Sequence, residues 1–281
     1  MQSIYLVIHH RKQNLEDVAR LLVKALWDAG ISVYAEPWLH KRLENCPDIR
    51  LVQGEASLCD AVLSVGGDGT FLRANATAVQ YGLPILGVNL GTVGFLAEVE
   101  WDQLQTACQQ LASGDYTIRE RMMLKAELDG RSWLALNDVV LSRGGYSRLI
   151  GVKAEVDGEE VGRYIADGLI ISTPTGSTGY SLSAGGPIVH PAVECILLTP
   201  ICAHSLQHRP VVAAPQHRIE LSLDDTHAQS VQCAIDGQGL FVLTADKKLV
   251  VTRADQPARF IETRQRSFFT TIRCKLAEWT R

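Results

Sequence analysis

Apolar positions in the first third of the chain follow two alternating rhythms. "SIYLVIHH" (3–10) is an unbroken apolar run of strand length, the pattern of a strand buried on both faces. "NLEDVARLLVKALWDAG" (14–30) switches to helical spacing, with Leu15, Val18, Leu22 and Leu26 on one stripe. Asn14 is its expected N-cap, Glu16 and Asp17 sit in its first turn, and Gly30 is its stop. Strands are expected again at "SVYAE" (32–36), "DAVLSV" (60–65) and "PILGVNL" (84–90), and helices at "TFLRANATAVQYG" (70–82) and "WDQLQTACQQLASG" (101–114). Strand and helix in alternation predict a Rossmann-like α/β domain, a parallel sheet covered on both faces.

Near Tyr116 the rhythm changes. "YTIRERMMLKAELDGRSWLALNDVVLSR" (116–143) reads as strands around an Asp129-Gly130 turn, and 151–172 repeats the pattern around Asp157-Gly158. Asp-Gly between alternating runs is a strong hairpin signal. Strand-like runs continue at 218–225, 230–238, 247–253 and 259–263, which predicts an all-β antiparallel sandwich. Helical spacing returns in "SFFTTIRCKLAEW" (267–279). The expected domains are 1–116, 117–264, and a C-terminal helix over 265–281 that packs back on the α/β domain.

Composition narrows the function classes. The net charge of -4 comes without a dense Lys/Arg block, so binding nucleic acid by charge alone is not expected. No apolar run is long enough for a membrane-spanning helix, and no signal peptide is read at the start. Seven scattered cysteines without a C-x-x-C pair argue against a zinc cage and for reduced thiols, hence a cytoplasmic protein. No set of protein metal ligands is read from the sequence.

Three stretches carry candidate chemistry. In "VLSVGGDGTFLRA" (62–74) an apolar strand ends in glycines that enclose Asp68. Strand ends of an open α/β sheet face the ligand crevice, and the following helix offers free N–H groups to an anion. Asp68 adds a proton acceptor or metal partner; the rival reading is a turn whose acid caps the helix. No G-x-x-x-x-G-K-[ST] loop exists, and "GVNLGTVGF" (87–95) spaces its glycines wrongly for the dinucleotide fingerprint. "DGLIISTPTGSTGYSLSAGGP" (167–187) empties a strand into small hydroxyl residues around a single aromatic, Tyr180. It forms either a polar cradle with Tyr180 stacked on a base or a surface loop. Asn137-Asp138 interrupts the apolar run "LALNDVVLS" (134–142). That pair either opens to solvent at a strand rim or faces a ligand, because an unpaired buried carboxylate is costly.

Together with "GVNLGTVGFLAE" (87–98), "LNDVVLSR" (136–143), "ICAHSLQHRP" (201–210) and "CAIDGQ" (233–238), these stretches resemble the NAD kinases in content and order over most of the chain. The Gly-Gly-Asp-Gly stretch alone also resembles lipid and sugar kinases. A lipid or sugar kinase sharing only that motif, or a non-catalytic NAD(P)-sensing module, is the alternative. The resemblance implies phosphorylation of NAD on the adenosine ribose 2′-hydroxyl, with ATP or polyphosphate as donor and a divalent metal, most simply Mg²⁺. It implies Asp68 as proton acceptor, with Gly69 and Arg73 lining the same pocket. Asn137, Asp138, Arg148, Asp167, the run Thr178, Gly179, Tyr180, Ser181, Leu182 and Ser183, and Gln238 are implied as dinucleotide contacts. NAD and ATP are the implied partners, in a homodimer or homotetramer. The chain departs from the family in having Asp138 where Glu is frequent, Gly179 where Ala is common, and Ile165 where some members carry Arg. His204 is left outside the catalytic set.

Overall fold

The computed structural model describes residues 1–281 except 11–13, 92–93, 144–148, 206, 225–229, 264–266 and 280–281, together with the side chains of 240, 278 and 279. The chain divides into two compact units, Met1–Glu120 with Ala258–Arg281, and Arg121–Pro257.

The first unit opens with strand β1 (Ser3–Ile8), helix α1 (Leu15–Asp28), β2 (Ser32–Ala35) and α2 (Pro37–Arg42). It continues with β3 (Ala61–Gly66), α3 (Asp68–Gln80), β4 (Ile85–Asn89), β5 (Val99–Glu100), α4 (Leu104–Ser113) and β6 (Thr117–Arg121). Asn14 is the N-cap of α1, as the spacing predicts. It caps through a left-handed backbone (φ 61°) and makes no side-chain cap hydrogen bond. Every residue of β3 and β4 is buried, as expected of a parallel sheet with helices on both faces. The short helix α2 was not expected from the sequence. Its Pro37 occupies the first turn, where a missing N–H is harmless.

The second unit is all β apart from short helical turns. One sheet runs β11-β10-β15-β18-β7-β8, built from β7 (Leu124–Leu128), β8 (Arg131–Ala135), β10 (Ile150–Val156), β11 (Glu159–Ala166), β15 (Ile219–Leu223) and β18 (Lys248–Arg253). The other runs β14-β13-β12-β9-β16-β17. It comprises β9 (Asp138–Ser142), β12 (Gly168–Ser172), β13 (Ile196–Ile201), β14 (Val211–Ala213), β16 (Ser230–Ile235) and β17 (Gln238–Thr244). The one-turn helix α5 (Tyr180–Ser183) follows β12. Leu124, Val152, Leu221 and Val251 from the first sheet and Val139, Ile171, Leu198 and Cys233 from the second share one buried core, so the unit is the predicted sandwich. The hairpins at Asp129-Gly130 and Asp157-Gly158 form, with both central residues at positive φ. A third Asp-Gly pair, Asp236-Gly237, makes the β16–β17 hairpin in the same way.

The chain then returns. Strand β19 (Ala258–Glu262) pairs parallel with β4 in register Phe260↔Ile85, and α6 (Phe268–Trp279) closes the first unit. The first sheet has the order β2-β1-β3-β4-β19-β6, with β5 added on β4. The boundaries at 116 and 264 read from the sequence therefore differ from the observed ones. Both β6 and β19 belong to the first sheet, because strand periodicity marks a strand without saying which sheet receives it.

Phe260 of β19 packs on the buried Phe71 of α3, ring centroids 5.0 Å apart. Truncating Phe71 to Ala removes a fully enclosed ring at the contact that seats the returning strand. The expected cost is about 3–5 kcal/mol of stability, read as a lower urea midpoint by circular dichroism.

Candidate active site

Helix α3 begins at Asp68, with Gly67 as its N-cap. Successive helical residues step by about 100°, so Gly69 and Arg73, four apart, share a face that Asp68 does not. The surroundings follow this geometry. Gly67, Gly69, Thr70 and Arg73 line a cavity of ≈ 400 Å³ with His9 and His10 from the end of β1. Asp68 is not among the lining residues. Its carboxylate turns to the segment after β4, where Oδ2 accepts the Phe95 N–H (2.9 Å) and Oδ1 the Leu96 N–H (3.1 Å). A Cβ on Gly94 would come within 2.1 Å of Asp68 Oδ1, so only glycine admits the carboxylate there. The sequence presented Asp68 as a bare acid in one pocket with Gly69 and Arg73. In the structure the acid is held by two amides, and its neighbours Gly67, Gly69 and Thr70 line the adjoining cavity.

Thr70 and Phe71 donate their N–H groups to the Gly67 carbonyl, so the amides left over at the helix start lie before Thr70. A Cβ built on Gly69 meets nothing within 4 Å. The protein's own packing does not demand glycine at that position. Arg73 is braced from behind: Nη1 bonds Glu36 Oε1 at 3.1 Å, and Nη2 donates to the Ile8 carbonyl at 2.8 Å.

In the second unit Asp236, in its tight turn, accepts the N–H groups of Leu136 (2.8 Å), Asn137 (2.7 Å) and Asp138 (3.0 Å). This fixes the entry to β9. A Cβ on Gly176 would fall 2.1 Å from the Asn137 carbonyl, so the 173–179 turn can press directly on that backbone. Asn137 Oδ1 and Ser172 Oγ are buried without a hydrogen-bond partner. Ser172 stands opposite Asp138 across the β9–β12 ladder, and Asp138 is itself 5% exposed. Burial, then the neighbouring Asp236 charge, push the Asp138 carboxyl up to about 7. Burial raises Asp236 as well, against the downward pull of its three amides. Both carboxyls are thus pushed towards the neutral form, and only Asp236 has amide donors that oppose the shift. Buried polar atoms without a partner beside such a carboxyl are a mark of a polar binding site.

The remaining expected contacts distribute unevenly. Gln238 is exposed and follows the Asp236-Gly237 turn at the start of β17. Tyr180 is 47% exposed, at the first position of α5. The hydroxyls of Thr178 and Ser181 face inward, to the Thr175 carbonyl (3.2 Å) and to Thr199 Oγ1 (2.9 Å). Gly179 and Leu182 shape the turn through backbone bonds, Gly179 N–H to the Gly176 carbonyl and Leu182 N–H to Gly179, while Ser183 is exposed. The cradle is thus a rigid main-chain turn rather than a ring of free hydroxyls. Asp167 precedes the other end of β12 and pairs with Arg143 at 3.2 Å, roughly 15 Å of strand from Ser172. Arg148 lies outside the described residues. Asp236 and Ser172 were not singled out from the sequence. The Asp-Gly dipeptide was a visible signal for the first, and a hydroxyl ending the apolar run "GLIIS" for the second.

An open α/β sheet with a Gly-Gly-Asp-Gly helix start, joined in sequence to a sandwich with a buried polar cluster, defines a nucleotide-binding phosphotransferase that uses no P-loop. Comparison with known proteins specifies it. The ATP-NAD kinase N-terminal domain model matches residues 4–116 and the ATP-NAD kinase C-terminal domain model residues 136–263. An NAD kinase of Geotalea daltonii is 40% identical over 266 residues, 92% of each chain, and one of Heliobacterium modesticaldum is 44% identical over 283 residues, 99% of each. Among solved structures, yeast NADH kinase complexed with NADH superposes with a TM-score of 0.85 at 26% identity, covering 99% of this chain and 88% of that one. An Archaeoglobus fulgidus NAD kinase in complex with ATP gives 0.77 at 25%, covering 97% and 99%. The chain belongs to the NAD kinase family and is a phosphotransferase acting on NAD. The match in both halves gives no support to a lipid or sugar kinase sharing one motif, or to a silent sensor. Among the described residues no helix is long and apolar enough to cross a membrane.

The Asp138 shift has a pH signature. The folded protein holds a proton there that the unfolded chain, at the ordinary 3.8, releases. This stabilising contribution is complete below about pH 4 and is lost as pH rises through about 7. Asp138→Asn should therefore flatten the fall in stability between pH 5 and pH 8 by roughly 2 kcal/mol, measured by urea melts at the two values.

Proposed function

We propose that this chain transfers the γ-phosphoryl group of ATP to the 2′-hydroxyl of the adenosine ribose of NAD, giving NADP, with Asp68 as the proton acceptor. The observation that carries this reading is the Asp68 carboxylate, fixed by the Phe95 and Leu96 amides. Each of its oxygens accepts one amide and keeps capacity for a further hydrogen bond. The hydroxyl oxygen bonds to phosphorus, the bond to the ADP oxygen breaks, and the hydroxyl proton passes to Asp68. Phosphoryl transfer asks the protein mainly for positioning and charge neutralisation. The cavity lined by Gly67, Gly69, Arg73, His9 and His10 suits the donor's phosphates, with the α3 N-terminus and Arg73 supplying positive charge. The ATP held by the Archaeoglobus fulgidus relative supports ATP as donor; polyphosphate shares the same anhydride chemistry.

Among the described residues no three His, Cys, Asp or Glu cluster to cage a metal. Mg²⁺ binds through one or two carboxylates and substrate phosphates, and Asp68 would be the protein's oxygen ligand. When bound, such an ion neutralises phosphate charge. For the dinucleotide, Asn137 and Ser172 have polar atoms to satisfy, the Asp138 carboxyl offers a further polar contact, and Tyr180 offers an exposed ring for adenine. Gln238, Asp167, Arg148 and the Thr178–Ser183 turn complete this contact set. NADH, bound in the yeast relative, is a second candidate acceptor. A cytoplasmic homodimer or homotetramer belongs to the same reading.

Incubation with NAD, ATP and Mg²⁺ should yield NADP, detected with an NADP-specific dehydrogenase. Asp68→Asn should keep NAD affinity within about an order of magnitude and cut turnover at least ~10²-fold; near-normal turnover would refute the assignment. Gly69→Ala should separate stability from activity. The added methyl meets open space and gains up to about 1 kcal/mol of helix propensity, whereas the ATP KM should rise about tenfold because the methyl enters the phosphate space.

A further inference from the structure

Arg73 forms part of the wall of the His9–Arg73 cavity, and what stands behind it is built from one short segment, Glu36-Pro37-Trp38. Glu36 takes Arg73 Nη1 on both carboxylate oxygens, at 3.1 and 3.3 Å. Trp38 Nε1 donates to Glu36 Oε2 at 2.9 Å, fixing the carboxylate in turn. The same indole meets His10, another lining residue, edge-on at 4.7 Å between centroids. Arg73 Nη2 is tied to the Ile8 carbonyl at 2.8 Å. Two of the five guanidinium N–H donors are thereby anchored to the protein, and the plane of the fork is set. Glu36 is itself the N-cap of α2 and accepts the Leu39 N–H on its carbonyl, so its backbone is pinned as well.

We propose that Glu36 is a positioning residue for phosphoryl transfer: braced by Trp38, it holds the Arg73 guanidinium in the one orientation that receives the terminal phosphates of a nucleoside triphosphate. This rests on the reading of the cavity as the donor site. The carboxylate has two opposing effects. As a counter-charge it weakens the attraction of Arg73 for a polyanion. As an anchor it fixes the geometry on which in-line transfer depends. The two effects predict opposite signs when the charge is removed, and the anchor is the larger because a single misplaced contact costs transfer heavily.

The test uses Arg73→Ala, Glu36→Gln and the double variant, with initial rates measured against ATP at saturating NAD and thermal melts run alongside. Arg73→Ala should raise the ATP KM about tenfold, the range for losing a hydrogen bond to a charged group. Glu36→Gln should lower kcat/KM for ATP about tenfold while the NAD KM moves less than about twofold. The double variant should be no worse than Arg73→Ala by more than about twofold, since Glu36 acts through Arg73. Unchanged or tighter ATP use by Glu36→Gln, or losses that multiply in the double variant, would overturn the positioning role alone. An unchanged ATP KM in Arg73→Ala would instead overturn the donor reading of the cavity. Should Glu36→Gln fail to fold, Trp38→Phe keeps the ring against His10 and removes the brace; it should lower kcat/KM for ATP about threefold, and wild-type kinetics there would likewise overturn the proposal.

Discussion

Two carboxylates hold the functional segments of this chain in place, each by accepting hydrogen bonds from consecutive backbone amides of a stretch distant in sequence. Asp68 gathers the amides of Phe95 and Leu96, and Asp236 those of Leu136, Asn137 and Asp138. Charge-assisted bonds to main-chain N–H groups are among the stronger polar contacts available to a fold. They fix the backbone itself, which side-chain packing does only indirectly. The glycines at 94 and 176 follow from this constraint, since any side chain there would occupy the space the partner needs.

In the second unit the device has an electrostatic result. Asp236 draws three donors that oppose the effect of its burial, while the adjacent Asp138 has none and is pushed up to about 7. The polar atoms of Asn137 and Ser172 stay unsatisfied around it. A fold tolerates such orphans where a ligand supplies the missing partners. The neighbouring turn is otherwise rigid: the hydroxyls of Thr178 and Ser181 are committed to the protein's own carbonyl and hydroxyl groups.

The fold was largely legible in the sequence because its signals were local. Unbroken apolar runs marked β1, β3 and β4, helical stripes marked α1 and α4, and Asp-Gly dipeptides marked two hairpins. The assignment of strands to sheets was not legible, since β6 and β19 look like any other strand until their partners are known. At the site, the Gly-Gly-Asp-Gly turn and the Asn137-Asp138 interruption announced themselves by breaking a pattern. The amides that hold Asp68, the anchor behind Arg73 and the role of Asp236 did not, because each joins residues between 27 and 100 positions apart. The third Asp-Gly pair shows how a signal can be read halfway: it encodes a turn, and the same aspartate also organises the next strand.

The returning strand has a consequence for how the molecule is made. β19 lies between β4 and β6 in the first sheet, yet its residues leave the ribosome more than 130 positions after β6. The half synthesised first is therefore the half completed last, and the nascent chain carries the Ile85 end of β4 without its β19 partner while the whole sandwich is being translated. Exposed strand edges of this kind invite pairing with other chains. Translation that halts between the sandwich and β19 would release a molecule with one self-contained half and one that is sticky, a natural client for chaperones.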